Sequence, residues 1–189
     1  LLPISKKKTH VIEIHAGQIT TTDLTISLPP TLNFEPFGGY SKIAAVERHH
    51  NTGKIGVAVA KGYGIRNGAV ASSVSHDSHN IIVIGDNDVD MAIAVNEIIR
   101  TQGGYTVVEN GKVYETLALP IMGLMSDVGF ENVNEALQRM IQKAHQMGVA
   151  SQIDPFVTLS FLALPVIPEL RITPRGICKM TAKGPAILS

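Results

Sequence analysis

The densest run of chemistry-bearing side chains in the sequence is HDSHN, His76 to Asn80, wedged between two apolar segments. Two imidazoles at i and i+3, with the Asp77 carboxylate between them, have the makings of an acid–base pair or of two metal ligands. A metal needs a third ligand, and spacing alone does not provide one. The same five residues also read as a turn, in which Asp77, Ser78 and Asn80 satisfy local backbone groups. A second cluster, Glu47, Arg48, His49 and His50, closes the segment KIAAVERH. If that strand neighbours the one running into His76, Glu47 or His49 joins His76 and His79 across the ladder. Otherwise it is an exposed strand end, whose Glu–Arg pair contributes little.

Other residue patterns carry weaker signals. Gly62, Gly64 and Gly68 follow a strand, but the spacing is G-x-G-x-x-x-G, and AVASSV behind it reads as strand. Without a helix N-terminus there is no dipole to hold a phosphate. Ser72 and Ser73 lie near His76 yet lack the G-x-S-x-G elbow of a nucleophilic serine. The methionines sit mostly on helix stripes or in PIMGLMSD (Pro120 to Asp127), where core packing is the default. Lys6 to Lys8 read as a solvated run. His145 and Cys178 receive no role.

The elements that must position these groups follow from periodicity. VIEIH (Val11 to His15) and TTTDLTISL (Thr20 to Leu28) alternate as half-buried strands do. Pro29 to Tyr40 reads as a loop. Strands are expected in Lys42–His49, Lys54–Gly64, Gly68–Asp77 and Asn80–Asp86. The unbroken Ile81-Ile82-Val83-Ile84 marks a strand covered on both faces. A helix carries Met91, Ala92, Val95, Ile98 and Ile99 on one stripe. Asp86 or Asp88 is its expected cap, Asp88 and Asp90 suit its dipole, and Gly103-Gly104 end it.

Tyr105 to Leu119 is a hairpin turning at Asn110-Gly111. A second helix has Val133, Leu137, Met140, Ile141, Ala144 and Met147 on one face, with Asn132 and Glu135 compatible with a capping box and Gly148 as C-cap. Pro155 to Leu164 reads as a buried strand or a short buried helix, and ELRITPRGICKM as a final short strand and turn. The expected class is α+β, a mixed or antiparallel sheet with at least two packed helices.

Composition narrows the function classes. The 189 residues carry 16 Lys plus Arg against 16 Asp plus Glu, a formal net charge of zero. That balance speaks against nucleic acid or a charged membrane surface as partner. Nine aromatics (five Phe, four Tyr, no Trp) leave little for stacking on single strands. One cysteine excludes an internal disulfide, fits a reducing, cytoplasmic setting, and removes the His/Cys/Cys zinc site of common nucleobase deaminases. No apolar run approaches the roughly 20 residues of a membrane span. A start at Leu1-Leu2-Pro3, without Met or an apolar leader core, is expected of a piece of a longer chain.

GAVASSVSHDSHNIIVIGDNDVDMAIAVNEIIRTQGG (Gly68 to Gly104) resembles the C-terminal domain of the bacterial adenine deaminases. So do ERH at Glu47, LALPIMGLMSD (Leu117 to Asp127) and PFVTLSFLALPVIPELRIT (Pro155 to Thr173). The likeness runs from about Lys42 to Gly176. It departs at Ile177, Cys178 and Lys179, where the family pattern has an aromatic and an acid.

The resemblance implies part of an amidohydrolase-superfamily enzyme that hydrolyses adenine to hypoxanthine and ammonia in purine salvage. In that family a divalent metal (manganese, iron or zinc) sits in a (β/α)₈ barrel, whose first strand supplies a H-x-H pair. This chain has no H-x-H and is too short for a barrel of about 250 residues. The expected organisation is then 1–41, N-terminal strands and connecting loop left from a preceding domain, and 42–189, the C-terminal domain itself. Its expected partners are the barrel, adenine as substrate of the whole enzyme, and further copies in a homo-oligomer.

The candidate site residues are His76, Asp77, His79, Glu47 and His49, with His76 and His79 as weak metal candidates. On this reading the chain alone is inactive. The alternative is a structural or oligomerisation domain with no reacting group. A third reading, an autonomous metal enzyme, needs His76, His79 and a carboxylate to converge unaided.

Overall fold

The structure, a computed structural model, describes residues 8–27, 34 and 38–188. Apart from Phe34 and the residues from Gly38 on, the expected Pro29–Tyr40 loop lies outside them, as do Leu28, Lys6 and Lys7. Six strands come first: β1 (Thr9–Ile14), β2 (Thr21–Ile26), β3 (Tyr40–Val46), β4 (Ile55–Lys61), β5 (Gly68–Ser72) and β6 (Ile81–Gly85). Helix α1 (Asp88–Arg100), strands β7 (Gly104–Glu109) and β8 (Lys112–Ala118), and helices α2 (Phe130–Gln146) and α3 (Pro155–Phe161) follow. The chain closes with β9 (Leu170–Thr173), β10 (Gly176–Thr181) and β11 (Gly184–Ile187). The class is α+β, as expected.

An eight-stranded sheet in the order β2-β1-β4-β3-β6-β5-β7-β8 forms the centre. Every pairing in it is antiparallel except β1 with β4, so the sheet is mixed. It runs through the 41/42 position, because β1 pairs with both β2 and β4.

The central strands are buried on both faces, as the run Ile81–Ile84 requires. Ile82 and Ile84 join Ile12, Ile43, Val70 and Val107 in the larger core, under Met140 of α2 and Phe156 and Leu159 of α3. Ile81 and Val83 turn the other way, onto Met91, Ala94 and Ile98 of α1. Alternation with a period of two therefore feeds two separate apolar layers. Among the described residues no helix is long and apolar enough to cross a membrane.

Local signals explain most element boundaries. The cap of α1 is Asn87, whose side chain accepts from the Asp90 N–H, not Asp86 or Asp88. The aspartates are used otherwise. Asp86 accepts from the N–H groups of Asn67 and Gly68, Asp88 pairs with Lys42, and Asp90 accepts from the Gly111 N–H. Asn110 and Gly111 have φ of 49° and 78°, the two positive values that a tight hairpin turn needs.

Helix α2 starts earlier than its apolar stripe implies. Gly129 occupies the cap position without a side-chain bond, and Asn132 lies inside the helix, donating to the Val128 carbonyl, so no capping box forms. Pro155 to Leu164 takes the helical alternative, because Asp154 accepts from the Phe156 and Val157 N–H groups ahead of a proline at the first helical turn. The C-terminal stretch exceeds the single short strand expected. β9, β10 and β11 form a three-stranded antiparallel sheet, turned at Gly176 (φ 113°) and Gly184 (φ 103°).

That small sheet seats on the large one through backbone at Gly56 of β4. A methyl group there would lie 1.9 Å from the Thr173 carbonyl oxygen and 2.6 Å from the Gly176 nitrogen. Neither atom can swing away as a side-chain tip can. Gly56→Ala is therefore expected to lower the unfolding free energy by about 2–3 kcal/mol, the cost of overpacking a rigid site. Urea denaturation followed by circular dichroism reads the loss; an unchanged midpoint would contradict the seating.

Candidate functional site

Antiparallel pairing of β3 with β6 matches Val46 to Ile81, so the chain leaving β3 and the chain entering β6 meet at one end of the sheet. The two polar clusters meet there. The expected route, with β3 beside β5, is corrected: β6 lies between them. The loops touch nonetheless. Arg48 N–H donates to Asn80 Oδ1 at 3.1 Å, and His49 Nε2 lies 2.6 Å from the Ser78 carbonyl oxygen.

Glu47 is the organiser of its own loop. Oε1 accepts from the His49 and His50 N–H groups at 2.5 and 2.8 Å. Oε2 accepts from the Thr52 N–H and hydroxyl at 3.0 and 2.9 Å. These donors, the Thr52 N–H foremost, hold the carboxyl down to about 2. A carboxylate so saturated is a poor proton acceptor. Ser73 is consumed in the same manner. Its buried hydroxyl accepts from the Gly104 N–H at 2.8 Å and donates to the Gly123 carbonyl at 2.6 Å.

His76, Asp77 and His79 keep more of their chemistry. The His76 N–H bonds the Ser160 carbonyl of α3, and its ring lies against Phe161 at 5.0 Å between centroids. Its Nδ1 is 3.9 Å from Asp77 Oδ1, and the Asp77 carboxylate is otherwise open to solvent. His79 has φ of 49°, its N–H donates to the Ser75 carbonyl, and its Nδ1 is buried without a hydrogen-bond partner. Burial, then the nearby His76 and Arg48 charges, push the His79 pKa below its ordinary value against the pull of Asp77. The neutral ring is thereby favoured, the form that accepts a proton.

The two imidazoles do not form a metal centre with a third group. Their rings stand 6.5 Å apart at 65°, and among the described residues no three His, Cys, Asp or Glu side chains are placed to hold an ion. The donor set among the described residues therefore does not match the divalent metal that the family resemblance implies.

On the α1 side, a hollow of about 550 Å³ is rimmed by Glu47, Arg48, His49, Asn51 and Gln102 above Ile81 and Ile98. His76 and His79 do not line it. His76 packs against Phe161 of α3, with the His79 ring 6.5 Å from it, so the structure joins the clusters through backbone and His49 without merging them into one pocket. Pattern reasoning missed the contribution of PIMGLMSD. Met122 and Met125 are 74% and 53% exposed rather than packed in the core. The Arg48 guanidinium donates to the Met122 carbonyl at 2.7 Å, which brings that segment to the site. The only hint in the sequence was a glycine, Gly123, breaking an apolar run.

Glu47→Gln is expected to lower thermal stability at neutral pH, since an amide offers a single acceptor oxygen. The carboxyl pKa is depressed in the folded state, so its stabilisation is complete above about 4.5 and fades as pH falls toward 2. The gap between wild type and variant in thermal melts should therefore close on acidification through that window. A gap constant from pH 7 to 2 would contradict the loop-locking role.

Comparison with known proteins places this arrangement. The family model described as adenine deaminase C-terminal domain matches residues 18–183. The chain is 48% identical over 177 residues to an adenine deaminase of Desulfitobacterium hafniense, covering 93% of this chain and 31% of that protein. It is 53% identical over 140 residues to one of Clostridium acetobutylicum, covering 74% and 25%, and 42% identical over 179 residues to one of Bacillus subtilis, covering 93% and 31%. The chain thus spans about a third of the length of the relatives it matches. With the match running across both polar clusters and most of the core, the chain belongs to the adenine deaminase C-terminal domain family.

Proposed function

We propose that this chain is the C-terminal domain of an enzyme that hydrolyses adenine to hypoxanthine and ammonia, acting in purine salvage in the cytoplasm. One observation carries the reading: near-complete coverage of this chain by proteins named adenine deaminase, of which it makes up 31%. The divalent metal would be held by the remainder of the enzyme, a (β/α)₈ barrel, and would supply the hydrolytic chemistry there when bound. This chain contributes an edge that closes over that barrel.

On that edge, His76 and His79 are the groups with proton-transfer capacity left, and Asp77 supports them. His49 and Glu47 serve by holding their loop. The neutral His79 ring, with a buried nitrogen lacking a partner, supports a role at a boundary that is completed by another domain. Bound reactants would find an imidazole there that orients a polar group or takes up a proton. The whole enzyme is read as a homo-oligomer, in which such an edge is shielded from water.

Two outcomes test the proposal. In the full-length protein, His76→Ala and His79→Ala are each expected to reduce adenine turnover at least about tenfold, near 1.4 kcal/mol of barrier, with little change in thermal midpoint. The 189-residue chain alone, given manganese, iron or zinc, is expected to release no hypoxanthine. Unchanged turnover in destabilised but folded variants would favour the structural reading, in which this domain carries no reacting group. Metal-dependent turnover by the isolated chain would overturn the assignment of the metal to the barrel.

A further inference from the structure

The segment between β8 and α2 exposes large apolar side chains in close succession: Ile121 at 45%, Met122 at 74%, Met125 at 53%, Val128 at 49% and Phe130 at 77%. Scattered exposed apolar residues need no explanation, but five within ten positions make a patch of the kind that marks an interface. The segment is also held in shape. Ile121 and Met125 form a β-bridge, and the Leu124 N–H returns to the Ile121 carbonyl at 3.1 Å. The Arg48 guanidinium donates to the Met122 carbonyl, and the Ser73 hydroxyl to the Gly123 carbonyl. Gly123 has φ of 76°, and a methyl group there would lie 1.8 Å from Arg48 Nη1. Polar groups from the segments that follow β3 and β5 thus present apolar side chains outward at a fixed position, which lowers the ordering cost of docking.

Both signs of charge border the patch: the exposed Asp127 and Glu131 lie along the segment itself, and Arg48 stands at its base. Arg48 has no carboxylate within ion-pair distance among the described residues, and partial burial alone pulls its pKa down. His49 and His79 stand near it, and the Glu47 oxygens are taken by other donors. A partner complementary to this face has an apolar patch that places a carboxylate against Arg48.

We infer that the 121–130 segment, with Arg48 at its base, is the surface on which this domain docks against the preceding part of its own polypeptide. The inference rests on the reading above that the chain is the C-terminal part of a longer enzyme. The length of chain outside the structure supports that occupant over a second copy. The relatives devote about two-thirds of their length to sequence beyond the 31% matched here, and the matched family is a C-terminal domain, so that sequence precedes it. The patch adjoins the Arg48–His49 loop and, through it, the His76–Asn80 turn. Docking there brings the histidine edge to the catalytic portion.

The test is site-specific photo-cross-linking in the full-length enzyme, with p-benzoylphenylalanine in place of Met122, an apolar substitution at an exposed position. Cross-linked peptides are identified by mass spectrometry, and adenine turnover is measured on the same sample. The expected cross-links run from position 122 to sequence preceding residue 1. Cross-links to residues 8–188 of a second copy, or none at all, overturn the inference. As a second readout, Met122→Glu is expected to split a single thermal transition into two, and a transition unchanged from wild type counts against docking. Turnover reports on the other reading independently. Cross-links to the preceding sequence in a protein inert toward adenine would leave the surface standing and remove the activity; turnover without such cross-links would do the reverse.

Discussion

The register of β3 against β6 is the constraint on which the rest depends. Val46 opposite Ile81 ends one strand where the other begins, so the Glu47–Thr52 loop and the Ser73–Asn80 segment leave the sheet at the same corner. Both strands are buried on both faces, which fixes the register tightly: a slip of one residue would send Ile82 and Ile84 to α1 and Ile81 and Val83 to α3. The Arg48–Asn80 and His49–Ser78 bonds are consequences of that register. They add little to it.

At that corner, residue type is a poor guide to role. Glu47, Ser73 and His49 are residues that enzymes use as base, nucleophile and acid, yet here hydrogen bonds to the backbone occupy them. Those bonds allow a loop of irregular backbone to lie against a sheet end without orphaned donors. The groups left over are few: the His76 ring, the Asp77 carboxylate, the buried nitrogen of His79 and the Arg48 charge. These four groups, on the His76–His79 turn and at Arg48, are what the corner leaves undone.

What the sequence disclosed follows from how local each signal is. Strands β1 to β6, helix α1 and the Asn110-Gly111 hairpin rest on periodicity and turn chemistry that a dozen residues contain. The class α+β follows from their order. The start of α2 escaped because its cap is Gly129, a residue with no side chain to announce it, while Asn132 imitated a capping box one turn later. The β9–β11 sheet escaped because short strands between glycines look like loop.

At the site, the two clusters were visible as residues, and their meeting was anticipated through the wrong neighbour. β6 was overlooked as the strand between, since strand order is a long-range property. The exposure of Met122 and Met125 was hidden for a different reason. An apolar side chain bound for its own core and one bound for another domain share the same letter.

That ambiguity bears on how such a domain works. Its two larger cores are closed by its own helices, Met140 and Ile98 among the fully buried, and the exposed segment belongs to neither. Apolar side chains that join neither of these cores, yet are held outward by an arginine and a serine from the segments following β3 and β5, add solubility cost without stability in the isolated domain. The arrangement is advantageous only where something docks on them. Since Arg48 is adjacent in sequence to the loop lock Glu47 and in contact with the methionine segment, anything that presses on Met122 also bears on the turn beside His79. The methionine segment and the histidine edge are therefore joined through one residue, Arg48, which bonds Met122 by its guanidinium and Asn80 by its backbone N–H.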